Sequence, residues 1–172
     1  SYRDGIMNFK DGKGVLYNGR AEAEAAIELP DVEHYSVRVK FTDVDSPAAF
    51  KLIEWEPGIP LGKVKGELYS SDTEFNPAGW FEYENKKTGS DFPGRIRKMK
   101  GNFAVQGDIL SLINAEARTE NSTLGINGAV NMSASLLNLK GKLATVDIAD
   151  LTAPYLNRMK GSGDFTGTIT GN

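Results

Sequence analysis

Apolar and polar side chains alternate with a period of two over long stretches of this chain, and glycine recurs inside those stretches as well as between them. In 101–109 the odd positions are Gly, Phe, Val, Gly and Ile, and the even ones are Asn, Ala, Gln and Asp. The stretches 113–120, 124–132 and 137–143 carry the same split. A period of two places successive side chains on opposite faces of a strand, one dry and one wet. Clean alternation favours antiparallel pairing over a sheet buried on both faces.

The first half follows the same rule less regularly. Val37, Val39 and Phe41 alternate with Arg38 and Lys40, and Val64, Gly66 and Leu68 with Lys65 and Glu67. A short strand is expected at 80–84. Asn18-Gly19 between apolar runs predicts a two-residue hairpin turn, and 76–79 (Asn-Pro-Ala-Gly) predicts another turn. The Ala- and Glu-rich segment 21–29 has helical propensity throughout, but its glutamates share one face at period two and it ends at Pro30, so it reads as a strand. A helix is expected at 46–53, capped by Ser46 with Pro47 in its first turn, and a turn of helix at 150–156. The segment 85–94 is the longest irregular loop expected.

The sequence also repeats itself. The stretch 41–50 resembles 146–155, and each precedes a similar strand, 62–68 and 163–169. The offset is about 100 residues, with approximate units at 35–100 and 137–172, the second truncated. Repetition of this kind suggests an extended, stackable β structure. The chain has no initiator methionine and stops within an alternating run, as expected of a piece of a longer repetitive protein.

Composition removes several function classes. The 172 residues include no cysteine and one histidine, His34, which excludes a thiolate nucleophile, a zinc–thiolate site and a histidine pair. No apolar run is long enough to span a bilayer, and the first residues do not read as a secretory signal. Asp43, Asp45 and Asp72 could be grouped as carboxylates, but no catalytic or calcium-loop spacing links them. The G-x-x-x-G strings fall inside strands rather than between a strand and a helix, so they are not phosphate loops. The basic stretch 95–100 reads as a solvated strand start, and a net charge of −3 argues against nucleic acid. Trp55 and Trp80 read as packing residues. The expectation is a non-enzyme without cofactor or metal.

What remains is the dry face. Its expected members are Val37, Val39, Phe41, Val64, Leu68, Phe103, Val105, Ile109, Ile113, Ala115, Ala117, Leu124, Ile126, Val130, Met132, Leu137, Leu139, Leu143, Phe165 and Ile169. A face so continuous must pack on a second sheet, curl on itself or hold an apolar ligand. A β-sandwich core filled by its own side chains is one reading; the two alanines here, and the glycines that share the dry face, pull toward unfilled space and a groove.

The motifs from Lys98 onward resemble the AsmA-like superfamily, and more narrowly its TamB-type branch. They are Gly101-x-Phe103-x-Val105-x-Gly107, Leu124-x-Ile126-x-Gly128-x-Val130-x-Met132, and Leu137-x-Leu139-Lys140-Gly141-x-Leu143. Asp147-Ile148-Ala149-Asp150-Leu151 with Ala153-Pro154 follows, then Gly161-x-Gly163-x-Phe165-x-Gly167-x-Ile169-x-Gly171. The resemblance covers about 75 residues and is fainter over 37–70. It implies an all-β, mostly antiparallel sheet curled into a taco-like trough with an apolar lining. It implies a bridge-like lipid-transfer protein, anchored in the inner membrane of a bacterium and crossing the periplasm. Phospholipid or another acyl-chain lipid would be its cargo, and an outer-membrane barrel assembly protein a partner. Membrane contact would come from parts of the parent protein outside this chain. In a bacterial protein the glycosylation sequon at 121–123 is incidental. The helix after Pro47 and the loop 85–94 are departures from a plain trough and are candidates to cap, plug or dock.

Overall fold

The computed structural model describes residues 1–29, 34–51, 62–71, 74–86, 95–134, 136–147 and 161–171. Eleven strands form one antiparallel sheet in which spatial order equals chain order: β1 (Tyr2–Arg3), β2 (Ile6–Leu16), β3 (Gly19–Glu28), β4 (Tyr35–Asp45), β5 (Lys63–Ser71), β6 (Ala78–Glu84), β7 (Lys98–Gln106), β8 (Ile109–Arg118), β9 (Ser122–Asn131), β10 (Leu136–Thr145) and β11 (Gly163–Gly171). The first and last strands do not pair, so the sheet is an open meander. Among the described residues there is no second sheet; the one helix, α1 (Ser46–Lys51), lies between β4 and β5. The all-β, antiparallel class matches the expectation from alternation, and the single open sheet matches the extended β structure expected from the repeat. Of segment 21–29, residues 21–28 are strand, in β3: cross-strand pairing on both sides overrides their helical propensity.

Local differences from the sequence reading have physical causes. The hairpin between β2 and β3 turns on Tyr17 and Asn18, both at positive φ (44° and 64°), one residue earlier than expected. Two left-handed central residues are what a tight hairpin needs. Gly19 serves another purpose: a Cβ there would lie 2.5 Å from the Thr42 carbonyl oxygen. It is glycine because β4 passes so close. The run 101–109 is not one strand either. β7 ends at Gln106 and the chain reverses at Gly107 (φ 54°), so Ile109 opens β8. The start of the expected helix is present as α1. Ser46 is buried, and its hydroxyl accepts a hydrogen bond from the Gly62 N–H at 3.0 Å, tying the helix start to the approach to β5. Positions 52–53, Trp55, Asp72, 87–94 and the expected helical turn at 150–156 lie outside the described residues.

Among the described residues three strands carry a bulge, an extra residue that shifts the facing pattern by one. In β2 it lies between Phe9 and Gly12, in β4 between Phe41 and Val44, and in β8 between Leu112 and Ala115. Each contains a residue at positive φ: Asp11 (57°), Asp43 (58°) and Asn114 (50°). Aspartate and asparagine tolerate this conformation better than other non-glycine residues. Asp43 is therefore explained by backbone geometry without any ligand.

β4 ends at Asp45 and β5 begins at Lys63, while β10 ends at Thr145 and β11 begins at Gly163. The two connections are equally long and stand 100 residues apart (145 − 45), the spacing of the sequence repeat.

Candidate functional site

Directly opposed residues on paired strands share a face, so the register assembles the dry face row by row. One row runs Val44, Val64, Tyr83, Met99, Ala117, Leu124, Leu143, Phe165 across β4 to β11. Another runs Gly12, Ala23, Val39, Leu68, Gly79, Phe103, Leu112, Gly128, Leu139, Ile169 across β2 to β11. Between them Phe41, Gly66, Phe81 and Gly101 lie side by side, continued beyond the β8 bulge by Ala115, Ile126, Gly141 and Gly167. On the far side are Phe9, Ala25 and Val37, and, nearer β11, Val105, Leu110, Val130 and Leu137. No charged residue enters these rows. At ~4.8 Å per strand the longest row covers nine steps, about 43 Å; at ~3.3 Å per residue the band is about 20 Å wide.

Hydroxyls mark both margins of the band. At one, Ser122 Oγ and Thr145 Oγ1 are buried and hydrogen-bonded at 2.7 Å. At the other, buried Ser70 is 3.2 Å from the Tyr35 hydroxyl and accepts from the Asn76 N–H at 3.1 Å.

The register brings together all but two of the expected lining residues that stand in strands; Met132 follows the last residue of β9, and its N–H donates to the Asp108 carbonyl at 2.8 Å. The two exceptions are Ile109 and Ile113. Ile109 stands opposite Gln106 and Asn131, and Ile113 opposite Asn102, so both belong to the wet face and are 46% and 45% exposed. The β8 bulge is the reason. Ala115 and Ala117 keep the odd phase, while before the bulge the inward positions are even: Leu110, 1% exposed, and Leu112. Sequence reasoning missed these two, together with Val44, Tyr83, Phe81 and Met99. The one signal for the phase change was an asparagine in mid-strand at position 114.

The band is filled at its centre and open toward one end. Val64, Tyr83, Ile96 and Ala117 form a buried cluster, with Phe41, Phe81, Met99 and Leu124 packed against it. Gly66 is part of this filling: a Cβ there would overlap the Trp80 carbonyl oxygen and stand 2.8 Å from the Phe41 ring. Phe41 thus covers the place a side chain would take. Burial pushes the Tyr83 hydroxyl up to about 12, and a hydrogen bond with Asn85 opposes part of that shift. Toward β11 the filling ends. A Cβ on Gly141 would have its nearest neighbours at 3.7 Å, one on Gly167 would meet nothing within 4 Å, and Phe165 is 47% exposed.

The wet face over the same strands is a ladder of ion pairs. Lys63 pairs with Asp45 (2.6 Å), Lys65 with Glu82 (2.8 Å), Lys98 with Glu84 (3.4 Å) and Arg118 with Glu116 (2.6 Å). All of these residues but Asp45 line a shallow depression of about 540 Å³. Hydrogen bonds from Lys63 and then Asn18 hold the Asp45 carboxyl below the usual carboxylate range, Arg118 does the same for Glu116, and Glu82 raises Lys65. In the basic stretch, Arg97 reaches Glu120 at 3.2 Å and Lys100 approaches Glu116 at 3.9 Å. With Lys98 on Glu84, three of its four cations face a carboxylate. Trp80 lies on this face opposite Glu67 and Asn102. His34 is exposed, and its carbonyl accepts from the Glu28 N–H at 3.0 Å. Among the described residues no helix is long and apolar enough to cross a membrane, and no cluster of three His, Asp or Glu could hold a metal ion.

No protein-family model, curated protein or solved structure matches this chain.

Proposed function

We propose that the chain is a section of a lipid conduit whose apolar band shields acyl chains from water, in a bacterial protein that bridges inner and outer membranes across the periplasm. The observation that carries this reading is the uninterrupted apolar band, about 43 Å long at ~4.8 Å per strand, on a single-layer sheet with no second sheet among the described residues to cover it. Each methylene kept from water stabilises the bound state by ~0.8 kcal/mol. A lipid would lie with its tail against Ile126, Leu139, Leu143 and Phe165, where the band is least filled, and its headgroup in solvent beyond the hydroxyl margin. The work is sequestration without bond chemistry, so neither cofactor nor catalytic group is needed.

A structural or docking module that carries no lipid and recruits an outer-membrane assembly partner is the second reading. The filled centre around Tyr83, 2% exposed, favours it.

Lipid extraction and native mass spectrometry of the purified chain, with photo-crosslinking residues at Ile126 and Leu139 in cells, test the two. The conduit reading expects co-purifying acyl lipid and lipid adducts at both positions, and loss of both signals in Ile126→Glu or Leu139→Arg while the sheet stays folded. A lipid-free chain with no adducts overturns it.

A further inference from the structure

The wet face of β6 to β9 is divided in two. Its charges stop at Glu82, Lys100 and Glu116. Beyond them the register sets out a block of strand residues without charge. One row across β6 to β9 is Trp80, Asn102, Ile113 and Asn127; the last meets β8 at its bulge, where Asn127 Oδ1 accepts from the Asn114 N–H at 2.6 Å. A second row, four residues farther along the strands, is Gln106, Ile109 and Asn131. On β7, β8 and β9 each row therefore reads amide, isoleucine, amide. The shorter side chains of Ala104, Ser111 and Ala129 lie between the rows. The result is a shallow groove across the strands, its walls ~13 Å apart at ~3.3 Å per residue. Ala78 prolongs it on β6. Tyr69 of β5 stands opposite Ala78 and diagonal to Trp80, 53% exposed. The nearest charges toward β4, Glu67 and Arg38, pair with each other at 3.2 Å. β5 to β9 are interior strands, each paired on both sides, so this surface does not depend on either outer strand.

The backbone groups of these strands pair within the sheet, so the groove offers side chains alone. Its amides supply both donors and acceptors, as sugar hydroxyls do. Its isoleucines and aromatics supply apolar surface for the C–H faces of sugar rings. A charged ligand finds no counter-charge here, and a peptide strand finds no unpaired sheet edge. At ~4.8 Å per strand the block between the walls covers about 200 Å², well below the ~800 Å² per partner of a standard protein interface. We propose that this groove binds a neutral glycan chain laid across β6 to β9. One ring stacks on Trp80 and Tyr69, and the exposed amides of Asn102, Gln106 and Asn127 bond the hydroxyls. Asn131 Oδ1 already accepts from the Ser133 hydroxyl at 3.0 Å and the Ala134 N–H at 2.9 Å, so this residue contributes its NH₂ group. The groove lies on the face opposite the apolar band, and the inference does not depend on whether that band carries lipid.

The test uses the whole chain with cellohexaose and chitohexaose as probes, by titration calorimetry and tryptophan fluorescence. The chain has two tryptophans, Trp55 and Trp80, so Trp55→Phe leaves Trp80 as the single reporter. At least one probe should bind saturably and shift the Trp80 emission. Trp80→Ala and Tyr69→Ala should each weaken binding about tenfold, with Trp80→Phe keeping part of it. Asn102→Ala with Gln106→Ala alters exposed positions only and should weaken binding as much at an unchanged urea midpoint, which separates lost contacts from unfolding. Lys65→Ala, in the ion-pair ladder, should bind like wild type. Four results each overturn the proposal: no binding of either probe, an Asn102/Gln106 variant that binds like wild type, tighter binding of the anionic polygalacturonate than of both neutral probes, or self-association of the chain that Ile109→Ser with Ile113→Ser disperses, which would make the block a protein contact.

Discussion

Leu110 and Ile113 lie on the same strand, and strict alternation ranks them the wrong way round. Counted back from Ala117 and Ala115 at every second residue, Ile113 is inward and Leu110 outward. The register reverses this: Leu110 is 1% exposed between Val105 and Val130, and Ile113 is 45% exposed opposite Asn102. Leu110→Ala removes three carbons from a packed setting that closes only partly, which costs about 3 kcal/mol in the middle of the usual range for such truncations. Ile113→Ala removes as many carbons from a half-solvated surface and should stay within about 1 kcal/mol. Urea denaturation followed by far-UV circular dichroism separates them. With a slope of ~2 kcal/mol/M, Leu110→Ala lowers the midpoint by about 1.5 M and Ile113→Ala by less than about 0.5 M. If Ile113→Ala costs as much as Leu110→Ala at an unchanged slope, the β8 bulge is misplaced and the face assignment from Ile109 to Ile113 fails with it.

Other consequences can be measured in the same way. Gly66→Ala should destabilise by at least about 2 kcal/mol, because the added methyl overlaps the Trp80 carbonyl and the Phe41 ring, whereas Gly167→Ala should be neutral or slightly stabilising through reduced unfolded-state entropy. The Tyr83 hydroxyl is raised from its ordinary 10 to about 12 in the fold. Its contribution is therefore complete below pH 10 and lost as pH rises from 10 through 12, a loss that Tyr83→Phe should remove from an alkaline denaturation series. Asp45 and Glu116 are shifted the other way. Their contribution is present above the ordinary carboxylate range and fades as pH falls below it, so an acid titration of Asp45→Asn should be flatter than that of wild type. Lys65→Ala breaks an exposed pair with Glu82 and should change the urea midpoint by less than about 0.5 M, and less still in high salt.

Alternation and turn chemistry made much of the fold legible. The stretches 124–132 and 137–143 read directly as two strands with Leu124, Ile126, Val130, Leu137, Leu139 and Leu143 inward, because no bulge interrupts β9 or β10 and one residue step is one change of face; Met132 alone falls past the end of β9. Segment 21–29 was legible for the same reason, since the positions of its glutamates outweighed the helical propensity of its alanines. Gly66 was legible only as a dry-face position. Glycine in a strand leaves space, and whether a backbone, an aromatic ring or nothing occupies that space depends on neighbours that are distant in the chain.

The sequence by itself determined that this chain forms half-buried antiparallel strands, with a polar face whose charges can match across strands. That information is local, carried by a period of two and by turn residues. Tertiary structure decided the phase of each strand and the filling of the band. An extra residue in β8 costs little within the strand, but it moves Ile109 and Ile113 to water and Leu110 to the interior, and only the partners across β7 and β9 select where it sits. In the same way Phe41 over Gly66 closes the centre, while Gly167 at the outer strand stays open, because packing depends on what lies opposite and sequence distance does not report it.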